Sequence, residues 1–292
     1  MKILLIGNYG QVGWELNRAL RPLGLVHPVD YPEIDLAKPD SLRDLVGNLN
    51  PQLIVNAAAY TAVDRAEEEA NLAMMINGVA PGILAEEAKR IGAVLLHYSS
   101  DYVYDGTKGE PYQESDLPNP LSVYGWSKLA GDQNIQQVDG TYLIFRTTWV
   151  YSLRQGGFVQ KVLGWARQNK TLRIVSDQIG SPTWARMLAE ATVQVLAKGG
   201  RDLLTWTKER KGLYHLGGSG AVSRLDWAKA ILKYDPNPDE QIVKEVLPAL
   251  TKDFPTPAQR PLHSPVNCKL FEDTFGLALP DWETSLKLAI NK

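Results

Sequence analysis

Tyr124 and Lys128 stand four positions apart in the run Tyr-Gly-Trp-Ser-Lys, and Ser100 precedes them by about twenty residues. If the run is helical, the two side chains share one face. A phenol with a free pKa near ~10 is a poor acid or base at neutral pH. An ammonium beside it favours the phenolate and brings that pKa toward the working range. Ser100 could offer a hydroxyl to the oxygen on which the proton moves. The chemistry suggested is proton transfer coupled to reduction of a carbonyl. Because the chain holds 12 tyrosines, the same spacing also fits an ordinary exposed helix pair. The weight of the motif therefore rests on the elements that would position it.

Residues 2–6 (KILLI) read as a buried parallel strand. They run into Gly7-Asn-Tyr-Gly10-Gln-Val-Gly13, after which residues 14–23 carry apolar positions at helical spacing. Strand, glycine loop and helix together form the context of a dinucleotide fingerprint. Gly7 would permit the sharp turn, Gly10 the approach of backbone N–H groups to a pyrophosphate, and Gly13 close helix–strand packing. The phosphates would sit at the helix N-terminus, where unpaired N–H groups favour an anion. The spacing is G-x-x-G-x-x-G, and a plain strand–helix turn uses glycines in the same way. A second strand, 25–29, ends at Asp30, where a carboxylate would bind the adenosine ribose. No arginine follows to neutralise a 2′-phosphate, so the local chemistry leans toward NADH, although a lone Asp also ends many strands as a turn residue. Asp35 and Leu36 could touch the adenine edge or belong to a polar loop.

Residues 39–49 read as a helix and 52–59 as a strand whose alanines would let a cofactor pass close by. The loop 60–64 leads to an acidic helix start, where Glu67, Glu68 and Glu69 fit a solvated face. The stretch 72–91 is expected to be one helix kinked at Pro81. Strand 93–97 brings Ser99-Ser100-Asp101 to its C-terminal end, the edge where open α/β sheets bind ligands; serines there also cap turns. The loop 104–120 is long enough to form a lid or rim. Residues 121–138 form the helix carrying Tyr124 and Lys128, and 142–145 the fifth strand.

These alternations predict an α/β protein with a doubly wound parallel sheet of the Rossmann type and a smaller C-terminal substrate-binding lobe. Residues 1–146 would be the dinucleotide-binding domain and 147–292 mainly the lobe, with parts returning to the sheet. In the second half, 158–168, 183–197 and 226–234 read as helices, and 172–175 and 213–216 as strands. Residues 199–212 look linker-like, and the prolines of 236–265 suggest irregular structure.

A net charge of −2 in 292 residues gives no electrostatic footprint for nucleic acid. One cysteine excludes an internal disulfide framework and fits a reducing compartment. The four histidines have no ligand spacing, so a tightly held transition metal is not expected. No apolar run approaches the ~20 residues of a membrane helix. The expectation is a cytoplasmic protein without membrane or nucleic-acid partners.

The chain resembles the extended short-chain dehydrogenase/reductases and, within them, the branch that reduces dTDP-linked 4-keto-6-deoxy sugars. The resemblance spans essentially the whole length. It rests on GNYGQVGWEL (7–16), VNAAAYTAVDRAE (55–67), HYSSDYVYDG (97–106) and PLSVYGWSKLAGD (120–132). Further matches are LIFRTTWVY (143–151), DQIGSPT (177–183), RPLHS (260–264) and PDWETSL (280–286). It implies that Ser100, Tyr124 and Lys128 are catalytic, with serine where many such reductases have threonine. It places Gly10, Gln11 and Val12 on the pyrophosphate of NADPH or NADH and Asp30 on the adenosine ribose. Ala59, Tyr60, Thr61 and Tyr98 would lie along the cofactor, and Thr61, Val63, Asp101, Tyr102 and Trp149 would frame a nucleotide-sugar substrate. The resemblance also raises a homodimer with Mg²⁺ held by glutamates between subunits. Glu15 matches one such position, whereas the sequence ends in Asn291-Lys292 without a glutamate. Two rivals share the fold: a non-catalytic regulatory subunit like that of methionine adenosyltransferase, and a nucleotide-sugar epimerase or dehydratase. A dehydratase would need Asp-Glu after the strand hydroxyl, where this chain has Asp101-Tyr102.

Overall fold

A computed structural model describes residues 1–154 and 156–290; the terminal Asn291-Lys292, on which the expectation about a missing glutamate falls, lies outside them. The five strands of the first half are β1 (Lys2–Ile6), β2 (Leu25–Val29), β3 (Leu53–Asn56), β4 (Val94–Ser100) and β5 (Thr141–Thr147). With strand Gly212–His215 they form one sheet, in the order Gly212–His215, β5, β4, β3, β1, β2, and every pairing is parallel. The order reverses direction at β1, so a crevice opens there beyond the C-terminal strand ends.

The apolar strand runs are explained by burial on both faces. Alternate residues point to opposite sides. Ile3, Leu5, Leu53 and Val55 pack with helix α1 (Gln11–Ala19) and helix Ala185–Gly199. Leu4, Ile6 and Ile54 pack with helix α2 (Pro39–Leu49) and helix Ala80–Ile91. A separate core of Tyr151, Val159, Leu172, Trp227, Ile231 and Leu286 holds the C-terminal lobe together.

The second half is interleaved with the first. Strand Gly212–His215 joins the sheet beside β5, and Phe271 and Phe275 enter the sheet core. The linker-like stretch 199–212 contains a short helix, Leu203–Lys208, whose Leu203 is buried in that core. The proline-rich stretch 236–265 contains a strand, Glu245–Ala249, that pairs in parallel with Thr171–Val175. Its Pro248 is tolerated because this two-stranded ribbon leaves free edges. The break expected at Pro81 lies earlier: a π-helical turn, Met75–Val79, joins helices Ala70–Met74 and Ala80–Ile91. Pro81 falls in the first turn of the latter, where a missing N–H costs little. Likewise α1 ends at Ala19, and Pro22 sits in a separate 3₁₀ turn. The helix expected from residue 183 starts at Ala185, because Thr183–Trp184 pairs with Val150–Tyr151.

Candidate active site

The crevice is a cavity of about 810 Å³ running from the glycine loop to the C-terminal lobe. Gly7 takes a positive φ of 90°, and a Cβ there would lie 2.5 Å from the Ala58 nitrogen. A Cβ on Gly13 would lie 1.9 Å from the Gly7 carbonyl oxygen, so this glycine serves the packing of α1 on the loop. Gly10 differs: the nearest atom to its Cβ position is the Gly7 oxygen at 3.4 Å, so the fold itself does not require glycine there. Gly10 lines the cavity and precedes the first turn of α1. Among the described residues, the buried Asn8 Oδ1 and Gln11 Oε1 have no hydrogen-bond partner. An open glycine at a helix N-terminus, with its unpaired backbone N–H groups, fits a dinucleotide pyrophosphate, and the two amide side chains beside it leave their oxygens without a donor. The Asp30 carboxylate accepts the N–H groups of Tyr9 (2.8 Å) and Tyr31 (2.9 Å), tying the loop to the end of β2.

At the other end of the cavity, Ser122 Oγ caps helix Val123–Val138 by accepting the Gly125 N–H at 3.2 Å. Gly125 allows close approach to the chain after β4, since a Cβ there would meet the Tyr102 carbonyl oxygen at 2.3 Å. That approach brings the Tyr124 side chain to the same end of the cavity as Ser100. Ser100 Oγ accepts the Tyr102 N–H (3.2 Å) and donates to Asp101 Oδ1 (3.3 Å). The Tyr102 and Tyr124 rings meet edge to face at 5.5 Å. Lys128 is 2% exposed, and its Nζ donates to the Tyr98 carbonyl at 2.6 Å.

The electrostatics correct one expectation. Burial pushes the Tyr124 phenol above its ordinary pKa, and the Ser100 hydroxyl pulls back against it; Lys128 does not bring it toward neutrality. The amine's hydrogen bond goes to a carbonyl oxygen, and burial pushes its own pKa down to about 8. Asp101, 2% exposed, is pushed up to about 6 by burial, against the hydroxyl donors Ser264 (2.6 Å), Thr148 (2.9 Å) and Ser100.

The cavity brings together Gly7, Gly10, Gln11, Val12, Asp30, Ala59, Thr61, Val63, Tyr98, Ser100, Asp101, Tyr102, Tyr124, Lys128 and Trp149. Other residues singled out from the sequence are elsewhere. Asp35 Oδ1 accepts the Ala37 N–H at 3.0 Å, and Leu36 is buried in the core under α2. The Tyr60 hydroxyl donates to Glu69, drawing that side chain away from the lining. The loop 104–120 is folded on itself, with Tyr104 stacked on Tyr112 at 4.2 Å, and contributes nothing to the lining. Glu15 is engaged by Arg18 (2.9 Å) and Arg186 (3.4 Å), and no group of three or more His, Cys, Asp or Glu among the described residues could hold a metal ion. Among the same residues, no helix is long and apolar enough to cross a membrane.

Sequence reasoning missed Arg224. Its guanidinium lies 3.5 Å from the Trp149 ring centroid and lines the cavity, and burial pushes its pKa down to about 10. Trp149 itself holds a positive φ of 39°, and a Cβ on Gly180 would lie 2.3 Å from its ring. Positive φ in a bulky residue stores strain and marks functional sites. Gly180 and Ser264 fall in stretches carried by the family resemblance; Arg224 falls in none.

The family model described as the RmlD substrate binding domain matches residues 1–292. The dTDP-4-dehydrorhamnose reductase of Burkholderia thailandensis is 41% identical over 99% of this chain and 98% of its own length. The Escherichia coli K12 enzyme of that name is 40% identical over 100% and 98%. Among solved structures, a Clostridium acetobutylicum dTDP-4-dehydrorhamnose reductase superposes with a TM-score of 0.91 at 33% identity, covering 100% of this chain and 99% of its own. The Bacillus anthracis reductase in complex with NADP gives 0.88 at 31%, covering 99% and 98%. A Thermus thermophilus UDP-glucose 4-epimerase, with a TM-score of 0.78 at 20% identity over 100% and 98%, shares the fold alone. With the glycine loop, the sheet-edge crevice and the Ser-Tyr-Lys constellation in one NAD(P)-binding Rossmann fold, the chain belongs to the RmlD substrate-binding-domain family, that of the dTDP-4-dehydrorhamnose reductases.

Proposed function

We propose that the protein reduces the C4 keto group of dTDP-4-dehydrorhamnose to give dTDP-L-rhamnose, using NAD(P)H. The observation that carries this reading is the meeting of Ser100, Tyr124 and Lys128 in one cavity with the glycine loop. A bound NAD(P)H supplies the hydride to C4. Tyr124, kept protonated by burial, gives its proton to the carbonyl oxygen as that oxygen gains charge. Ser100 turns its hydroxyl from Asp101 to the same oxygen, which it then stabilises. Lys128 lies within the cavity lining, where its amine would hold the ribose hydroxyls of a dinucleotide bound along the glycine loop. Thr61, Val63, Asp101, Tyr102 and Trp149 frame the sugar, and the Arg224 guanidinium meets the diphosphate that carries it. Asp30 places a carboxylate where a 2′-phosphate would come, which favours NADH, although the Bacillus anthracis relative was solved with NADP.

The test is loss of nicotinamide absorbance with dTDP-4-dehydrorhamnose, run with NADH and NADPH in parallel. Steady oxidation with formation of dTDP-L-rhamnose is expected. Cofactor binding without oxidation would instead make the chain a regulatory binding protein, and sugar interconversion without net oxidation an epimerase.

A further inference from the structure

Lys128 is backed by two buried polar residues that the proposed chemistry does not use. His97, on β4, is 1% exposed, and its Nε2 lies 3.5 Å from the lysine Nζ. Its Nδ1 lies 3.1 Å from Nδ2 of Asn56, at the end of β3 and 0% exposed. The orientation of the Asn56 amide is set from its other side, where Oδ1 accepts the Ala58 N–H at 3.2 Å. An amide nitrogen only donates, so Nδ1 of His97 must accept. A neutral imidazole carries one hydrogen, which then resides on Nε2. Burial, with the nearby Lys128 charge, keeps the ring neutral by holding its pKa well below the ordinary value. The Nε2–H therefore faces Nζ. It opposes an ammonium there and can donate to the lone pair of an amine.

The other groups facing Lys128 act in the opposite sense. On its own helix, Asp132 favours the charged form, and on β4 the Tyr98 carbonyl accepts from Nζ. Asp132 is itself bound by Arg146 of β5 at 2.9 Å, which weakens its pull on the lysine. Tyr124, the remaining titratable neighbour on the helix, is held neutral by burial. His97 is thus a donor set against a site that otherwise attracts a proton.

We propose that Asn56 and His97 are positioning residues that set the protonation of Lys128: Asn56 fixes the imidazole tautomer, and the Nε2–H so aimed favours the neutral amine. The inference rests on the reductase reading only for its catalytic consequence, because the amine can be observed directly. With ¹⁵N- and ¹³C-labelled lysine, the Lys128 side-chain resonance, assigned by its loss in Lys128→Arg, should titrate below the surface lysines. Asn56→Leu frees the ring to present an accepting Nε2, and His97→Phe removes the N–H while keeping the volume buried. Each should raise the midpoint by roughly one pH unit, and His97→Gln, which can present an amide N–H, should restore part of the shift. Unmoved midpoints in both folded variants would overturn the proposal. The tautomer can also be read in the unaltered protein from the imidazole ¹⁵N shifts: an unprotonated Nδ1 supports the proposal, and a protonated Nδ1 overturns it. Because the ammonium offers the ribose hydroxyls one more donor than the neutral amine, the alkaline limb of kcat/KM should rise with the midpoint. If the resonance moves and that limb does not, the catalytic role of Lys128 is at fault and the tautomer inference stands.

Discussion

One turn apart on the same helix, Lys128 and Asp132 are both buried ions, and they are treated differently. Asp132, 0% exposed, receives Arg146 Nε at 2.9 Å, and Arg146 continues through Tyr104 (2.9 Å) to His215 (2.8 Å). Burial works against the Arg146 charge, yet Asp132 and Tyr104 hold its pKa above the ordinary value. That ion pair is closed to the cavity and serves the fold. Lys128 meets no carboxylate within salt-bridge distance among the described residues; it faces a carbonyl, an imidazole and the cavity, and burial shifts it toward neutrality. Where opposite charges meet, burial fixes a charge state. Where they do not, it makes the state adjustable, which is what proton chemistry needs.

The largest effect expected is on the open side of this contrast. Tyr124→Phe should cut kcat by about 10²–10⁴-fold with cofactor binding kept, as checked by turnover and by fluorescence titration with NADH. On the closed side, Arg146→Met should leave turnover of the folded protein in place. It would strand Asp132 and cost roughly 3–5 kcal/mol of stability, measured by urea unfolding. An unchanged midpoint would erase the distinction between the two sites.

Asp101 sharpens the comparison through pH. Its folded pKa of about 6 stands above the free value of 3.8, so the folded chain binds this proton more tightly than the unfolded one. The stability so gained is fully present below the free value and is lost as pH rises through the folded one. The shift of about 2 units corresponds to about 3 kcal/mol. The stability of the unaltered protein relative to Asp101→Asn should fall by about that amount between about pH 4 and about pH 7, and a flat difference would contradict the assignment. The smallest effect is expected at the lobe: Arg224→Leu should raise KM for the nucleotide sugar by roughly tenfold to a hundredfold, leaving KM for NAD(P)H unchanged. Equal losses for both would remove Arg224 from the diphosphate.

The parts of the site legible in the sequence are those whose physics is local. Gly7 is demanded by its positive φ and Gly13 by its contact with the Gly7 carbonyl, both within the loop. The Tyr124–Lys128 spacing follows from helical geometry, and the strand runs from two-sided burial. Arg224 had no comparable signal, and Asn56 and His97, although they fall in matched stretches, carry no local one. A guanidinium over Trp149 and an imidazole tautomer fixed from a neighbouring strand depend on atoms far apart along the chain. The short helix Leu203–Lys208 was hidden for a related reason. The surrounding stretch 199–212 reads as a linker, and six residues form a stable helix only because Leu203 and Trp206 dock onto the sheet core.

By itself, then, the sequence determined the five strands of the first half in their order, the glycine loop and the identity of the hydroxyl, phenol and amine that could move a proton. Turn geometry and apolar periodicity act over a few residues, so they can be read along the chain. The tertiary structure decided which of those groups are charged. Protonation of a buried group depends on how completely water is excluded and on which dipoles face it, and strands β3, β4 and β5 with the C-terminal lobe establish both only after they have packed.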